Sequence, residues 1–203
     1  MKIICIGRNY AEHAKEMNAA VPTEPVFFLK PDTAIIKDNQ PFYYPDFSKE
    51  IHHEVELVLK INKPGKNIDA QFAHKYYDEI GIGIDFTARD IQAKCKEKGL
   101  PWEKAKAFDG SAPIGKFVDK KKFSDPNNIH FHLNINGKLV QKGNTNDLLF
   151  SFDAVIAYVS KFFTLKTGDL IYTGTPEGVG PVAIGDKLEA FIENESLLTF
   201  EIK

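Results

Sequence analysis

Residues 51–61 read IHHEVELVLKI, and the fold turns on this stretch. Val55, Leu57, Val58 and Leu59 specify a β-strand, and a strand turns alternate side chains to opposite faces, so Glu54 and Glu56 project from the same side. Two like charges on one face need water around them or a positive partner, because an unpaired buried charge is costly or titrates away.

Strands dominate outward from this point. KIICIG (2–7) reads as a strand ending at Gly7, VFFLKP (26–31) and TAII (33–36) as short strands broken at Pro31, and DLIYTG (169–174) as a strand running into the loop TPEGVGP. GIGIDFT (81–87) is a strand with glycines where side chains would otherwise stand, and Asp85 lies at its end. NIHFHLNINGKLVQKG (128–143) predicts a hairpin whose Asn136-Gly137 pair suits a type I′ turn, and a second hairpin is expected near the chain end, with Asn194 in its turn. Helical spacing covers NYAEHAKEM (9–17), DAQFAHKYYDEI (69–80), ARDIQAKCKEKG (88–99, closed by Gly99) and SFDAVIAYVSKFF (151–163, capped by Ser151). The expected fold is mainly β with peripheral short helices, a mixed β-roll, in a single domain over residues 1–203.

Composition narrows the function. The chain has 203 residues, 43% hydrophobic, with 16 Phe and 7 Tyr, enough for a sizeable core. With 26 basic and 28 acidic residues, its net charge of -2 gives no electrostatic case for nucleic acid or an anionic membrane. Two cysteines, Cys5 and Cys95, fit reduced thiols, and the apolar run at residues 1–7 is too short for a signal segment, so a cytoplasmic location is expected. Three acids, Glu54, Glu56 and Asp85, suit a hard divalent cation with positions left for water or substrate. Spacing alone favours a solvated strand face over a metal site. His52 shares the Glu54 face and reads as a hydrogen-bonding or solvated histidine rather than a ligand.

The ordered blocks GRNYAEHAKEM, FFLKP, HHEVELVL, GIDFTARDIQ, GLPWEKAKAFDGSAPIG and LIYTGTPEGVGP resemble the fumarylacetoacetate hydrolase family across nearly the whole chain, and most of all its short acylpyruvase and oxaloacetate decarboxylase branch. The resemblance implies a β-roll, a homodimer, Mg²⁺ (or Mn²⁺) and a small-molecule 2-oxo acid substrate. It places Glu54, Glu56 and Asp85 as metal ligands, with the ion as their positive partner. It places His13 and Glu16 as a water-activating dyad, three residues apart on one face of a short helix. Lys106 becomes the active-site lysine near the oxygens of the intermediate. Arg89, Gln92 and Thr175 become substrate-binding residues, and the glycines around Thr175 permit close backbone approach. Outside the resemblance, each of these has a surface reading: an exposed helix face, a common lysine, a turn.

The activity so implied is hydrolysis of the C–C bond of acylpyruvates such as fumarylpyruvate or acetylpyruvate, with oxaloacetate decarboxylase activity. The alternatives are an oxaloacetate tautomerase or a 2-hydroxyhepta-2,4-diene-1,7-dioate-type isomerase of the same family, and a binding protein that lost its chemistry, against which His13, Glu16 and Lys106 argue. The polar segment 9–25, Pro-flanked at its end, is expected to act as a mobile lid carrying His13 and Glu16.

Overall fold

The computed structural model describes residues 1–17 and 20–203. Val55–Ile61 is an inner strand of a six-stranded mixed sheet, in the order Val26–Lys30, Ile3–Gly7, Leu170–Tyr172, Val55–Ile61, Tyr77–Ile84, Val118–Asp119. Ile3–Gly7 runs parallel to Leu170–Tyr172, and the other pairings are antiparallel. A four-stranded antiparallel sheet of Lys138–Asn144, His130–Ile135, Lys187–Ile192 and Glu195–Glu201 supplies a second layer. Two small sheets complete the roll: Gly180–Pro181, Ile51–His53 and Thr87–Ala88 in one, Ile35–Ile36 and Ala112–Pro113 in the other.

The six-stranded sheet is buried on both sides, and its two faces differ. Paired residues share a face. One face carries Ile4, Ile6, Val55, Leu57, Leu59, Ile80, Ile82 and Ile84, all in the main core with Leu133, Ala190 and Phe200 of the four-stranded sheet. The other carries Ile3, Cys5, Val58, Leu170 and Tyr172 in a smaller cluster. By register, Phe28, Lys30, Glu56, Gly81 and Gly83 belong to that second face too. The glycines admit aromatic rings: a Cβ on Gly81 would meet Phe117 at 2.9 Å, and one on Gly83 would meet Tyr172 at 2.7 Å.

The stretch 51–61 is not one strand. Ile51–His53 pairs with Thr87–Ala88, whereas Val55–Ile61 pairs with Tyr77–Ile84, so the chain changes sheets at Glu54. Its neighbour changes sheets at the same level, across Asp85 and Phe86. Both acids therefore stand where two adjacent strands leave the ladder together, bridged by Asp85 N–H donating to Glu54 O at 2.8 Å.

The helix expected over 69–80 is confined to Ala70–Ala73, capped by Asp69, and Tyr77–Ile84 is a strand. Asp78 and Glu79 imitate a helical pattern because they lie near the strand's outer end, where Glu79 meets Lys60 across the sheet at 2.6 Å. The other expected helices form, at Ala11–Glu16, Arg89–Lys98 and Phe152–Val159, with Gly99 left-handed at φ 62° and Ser151 accepting from Ala154 N–H. Asn136 and Gly137 both take positive φ, as a type I′ turn requires, and Glu193 and Asn194 turn the last hairpin. Asn9 is wholly buried and ties three segments, donating to Phe150 O and Thr173 O and accepting from Phe150 N–H. Cys5 and Cys95 are buried free thiols. The expected lid includes Asn18 and Ala19, which lie outside the described residues.

Gly83→Ala should destabilise the protein by about 1–3 kcal/mol, since Tyr172 has no space to yield, as a lower urea midpoint at unchanged slope would show.

Candidate metal centre

Glu54, Glu56 and Asp85 are buried, and one ligand oxygen from each lies within 4.8 Å of the others. By alternation Glu54 and Asp85 fall on the side onto which Glu56 projects, and their carboxylates stay together with it where the two strands leave the ladder. Thr87 Oγ1 donates to Glu54 Oε1 at 3.1 Å, and Gly174 N–H donates to Glu56 Oε2 at 2.7 Å. Gly174 has φ 103°, and a Cβ there would meet Asn9 Cβ at 2.6 Å, so only glycine brings this amide to Glu56.

The acids, whose expected positive partner is an ion, also meet three cationic side chains of the chain itself. Lys106 Nζ donates to Glu54 Oε2 at 2.7 Å and to Asp85 Oδ2 at 2.9 Å. Arg89 Nη2 donates to Glu54 Oε1 at 2.6 Å, and Arg89 Nη1 to Gln92 Oε1 at 2.7 Å. Lys30 Nζ stands 2.8 Å from Asp85 Oδ1 and also bonds Ser111 O, Ser111 Oγ, Phe86 O and Lys106 O.

These pairings divide the acids electrostatically. Burial alone would raise Glu54, but Lys106 and Arg89 outweigh it and hold this carboxyl well below the usual range. Burial would depress Lys106, yet Asp85 and Glu54 keep it above the ordinary lysine value. Glu56 has no cation hydrogen-bonded to it among the described residues; burial, then repulsion from Asp85 and Glu54, pushes it well up. The residues fit a hard divalent cation: all three donors are oxygen, and among the described residues Glu56 has no directly paired charge and Asp85 Oδ1 no aligned hydrogen bond despite the nearby Lys30.

A cavity of about 320 Å³ opens over the triad. Its walls include His13, Arg89, Gln92, Lys106 and Thr175, so five of the six non-ligand residues expected at the site face it. The sixth, Glu16, supports the site from outside: its Oε2 lies 3.1 Å from His13 Nδ1 and its Oε1 accepts from Gly178 N–H at 3.0 Å. Thr175 Oγ1 accepts from Gln141 Nε2 at 2.9 Å. Gln141 also donates to Pro176 O and accepts from Val55 N–H, pinning the 174–181 loop to the triad's strand. His52 lies 3.1 Å from Glu50 and 3.4 Å from Arg89, a hydrogen-bonding role as expected.

Sequence reasoning missed Lys30 and Gln141. A lone lysine between apolar residues in VFFLKP was a faint sign of a buried charge, and Gln141 carried none.

A family model described as fumarylacetoacetate (FAA) hydrolase C-terminal matches residues 2–203. The mouse protein named oxaloacetate tautomerase FAHD1, mitochondrial, is 46% identical over 201 residues, covering 99% of this chain and 91% of its own. Oxaloacetate tautomerase YcgM of Escherichia coli K12 is 45% identical over 199 residues, covering 98% and 91%. Fumarylpyruvate hydrolase from Pseudomonas aeruginosa, solved in complex with Mn²⁺ and pyruvate, superposes with a TM-score of 0.94 at 36% identity, over 100% of this chain and 89% of that one. No helix among the described residues is long and apolar enough to cross a membrane. With its mainly β roll, its buried acid triad and these full-length similarities, the chain belongs to the fumarylacetoacetate hydrolase family.

Proposed function

We propose that this chain is a divalent-metal-dependent enzyme acting on 2-oxo acids, and that its principal reaction is keto–enol tautomerisation of oxaloacetate. The observation that carries the reading is His13: buried, facing the cavity, and held at Nδ1 by Glu16, so that Nε2 is the nitrogen left to exchange protons with a ligand. The names of the mouse and E. coli relatives support the choice of reaction.

Glu54, Glu56 and Asp85 would hold Mg²⁺ or Mn²⁺, which when bound supplies a Lewis acid for negative charge developing on substrate oxygen. His13 takes a proton from the carbon beside the keto group and returns one to oxygen, or the reverse, with no net gain or loss of atoms. Glu16 fixes the imidazole tautomer and is itself held by Gly178. Lys106 keeps a fixed positive charge beside the reacting oxygens, and Gln92 and Thr175 orient the acid. Burial of the triad keeps bulk water from competing.

A second reading, C–C hydrolysis of acylpyruvates, is favoured by the carboxylate behind His13, which suits water activation, and by the name of the Pseudomonas neighbour. Oxaloacetate decarboxylation would use the same triad and needs no base. We also propose a homodimer with a two-fold interface; Tyr43, Phe47 and Ile184 are large apolar residues left exposed on the single chain.

Mn²⁺-loaded protein should interconvert the oxaloacetate tautomers faster than it cleaves any acylpyruvate in a panel, and the opposite order selects the second reading. His13→Ala should lower tautomerisation by about a hundredfold or more while decarboxylation falls less; equal losses would make His13 a positioning residue. Glu54→Ala, Glu56→Ala and Asp85→Ala should each weaken Mn²⁺ binding in calorimetry by about a hundredfold or more, and unchanged affinity in all three would remove the metal from the site. Light scattering at micromolar concentration should give about twice the 22.8 kDa chain mass, and a clean monomer refutes the dimer.

A further inference from the structure

Gln141 is a buried amide on a sheet face that is otherwise core. It pairs with Leu133 in the four-stranded sheet, and Phe131, Leu133 and Ala190 around it are buried apolar residues. Its side chain makes its full complement of bonds: Oε1 accepts from Val55 N–H at 3.0 Å and from His53 Nδ1 at 2.8 Å, and Nε2 donates to Thr175 Oγ1 at 2.9 Å and to Pro176 O at 3.0 Å. We propose that Gln141 is a positioning residue for ligand binding, acting through Thr175 by setting its hydroxyl to donate into the cavity, towards the carboxylate of a 2-oxo acid. The proposal rests on the reading of the cavity as a 2-oxo acid site.

The direction of the hydroxyl follows from the network. A backbone N–H can only donate and a backbone carbonyl can only accept, so Val55 and Pro176 fix which end of the Gln141 amide is oxygen. His53 then carries its hydrogen on Nδ1, and Thr175 Oγ1 receives a hydrogen from Nε2. With that lone pair used, the Thr175 hydroxyl keeps its own hydrogen for another acceptor, and none is bonded to it among the described residues. Thr175 stands in the cavity wall, so the acceptor is one that the cavity receives. A hydroxyl that accepts one bond donates a stronger one, because each bond polarises the next.

Holding the loop does not by itself require this amide. Residues 174–181 are fixed on both sides of Thr175: Gly174 N–H donates to Glu56 Oε2, Gly178 N–H donates to Glu16 Oε1, and Gly180 pairs with His53. The loop also lies close against the strand Lys138–Asn144, since a Cβ on Gly178 would meet Val140 O at 2.5 Å and one on Gly143 would meet Pro176 Cγ at 3.1 Å. An apolar side chain at position 141 would extend the core but supply Thr175 with no donor.

The test uses full-length protein loaded with Mn²⁺ and pyruvate, the simplest 2-oxo acid, read by calorimetry. Thr175→Val should weaken pyruvate binding by about tenfold or more and Thr175→Ser by less than about threefold, both at unchanged Mn²⁺ affinity. Gln141→Glu is the discriminating change. Its carboxylate still accepts from Val55 and His53, but towards Thr175 it offers an acceptor in place of a donor, so the hydroxyl turns away from the cavity. Alone it should weaken pyruvate binding by about tenfold or more; added to Thr175→Val it should cost less than about threefold further. Gln141→Met leaves the hydroxyl unheld rather than reversed. It should show the same dependence on Thr175 with smaller losses, and it carries the test where the buried charge of Gln141→Glu prevents folding.

Four results overturn the positioning role and leave the 2-oxo acid reading standing: no loss from Thr175→Val, a Thr175→Ser loss as large as that of Thr175→Val, Gln141 losses that are equal with and without Thr175→Val, or a fall in Mn²⁺ affinity in Gln141→Met that matches its loss of pyruvate binding. Failure of both Gln141 variants to fold assigns the amide to the fold alone and overturns it too. Failure of the unmodified protein to bind pyruvate overturns both the positioning role and the 2-oxo acid reading.

Discussion

The bridge from Lys106 to Glu54 and Asp85 is the interaction on which the rest of the structure depends. It joins the helix Glu103–Lys106 to two strands at the level where both leave the six-stranded sheet. Lys30 extends it to a third strand, and its bonds to Phe86, Lys106 and Ser111 carbonyls fix the segments that follow. Buried charges of this kind stabilise little as a set, because desolvation offsets much of the attraction, but removing one member costs about 3–5 kcal/mol by stranding the others. The cluster is therefore better understood as specifying which segments meet than as a source of net stability.

The six-stranded sheet separates the two demands by face. Isoleucine, leucine and valine fill one side and pack against the four-stranded sheet, which supplies ordinary hydrophobic cohesion. The other side carries Lys30, Glu56 and two glycines among fewer apolar residues, and is closed by Tyr172 and Phe117. A polar site on the first face would displace core volume. On the second, the aromatic rings over Gly81 and Gly83 exclude water from one end of the face while the other opens to the cavity.

The sequence made the site legible where a local pattern carried it. The period of two placed Glu54 and Glu56 on one side, and the spacing of three placed His13 beside Glu16. Asn136-Gly137 announced its turn through the only backbone conformation that pair favours. What was hidden depended on partners remote in the chain. Lys30 finds Asp85 across 55 positions, and Gln141 finds Val55 across 86, so neither has a local signature. The break at Glu54 was invisible for the same reason: a strand that changes sheets has the composition of one that does not. The strand Tyr77–Ile84 was misread in part because tertiary pairing overrode a polar pattern at its outer end.

The cations also bear on how tightly the triad can hold an ion. A carboxylate already bonded to lysine or arginine offers a metal less attraction than a free one, because part of its field is spent on the neighbour. Glu54 is bonded to both Lys106 and Arg89, and Asp85 stands between Lys106 and Lys30. Among the described residues Glu56 is hydrogen-bonded to the Gly174 amide and to no cation, so its oxygens contribute the largest unopposed field. The arrangement is graded rather than uniform: one carboxylate to attract a cation, two whose orientation is set by permanent charges. An all-acid cage without the cations would bind an ion more strongly but would repel itself when empty. Lys30, Lys106 and Arg89 hold the triad's carboxylates in place by themselves, and under the proposed function the same fixed charges would stand beside the substrate oxygens.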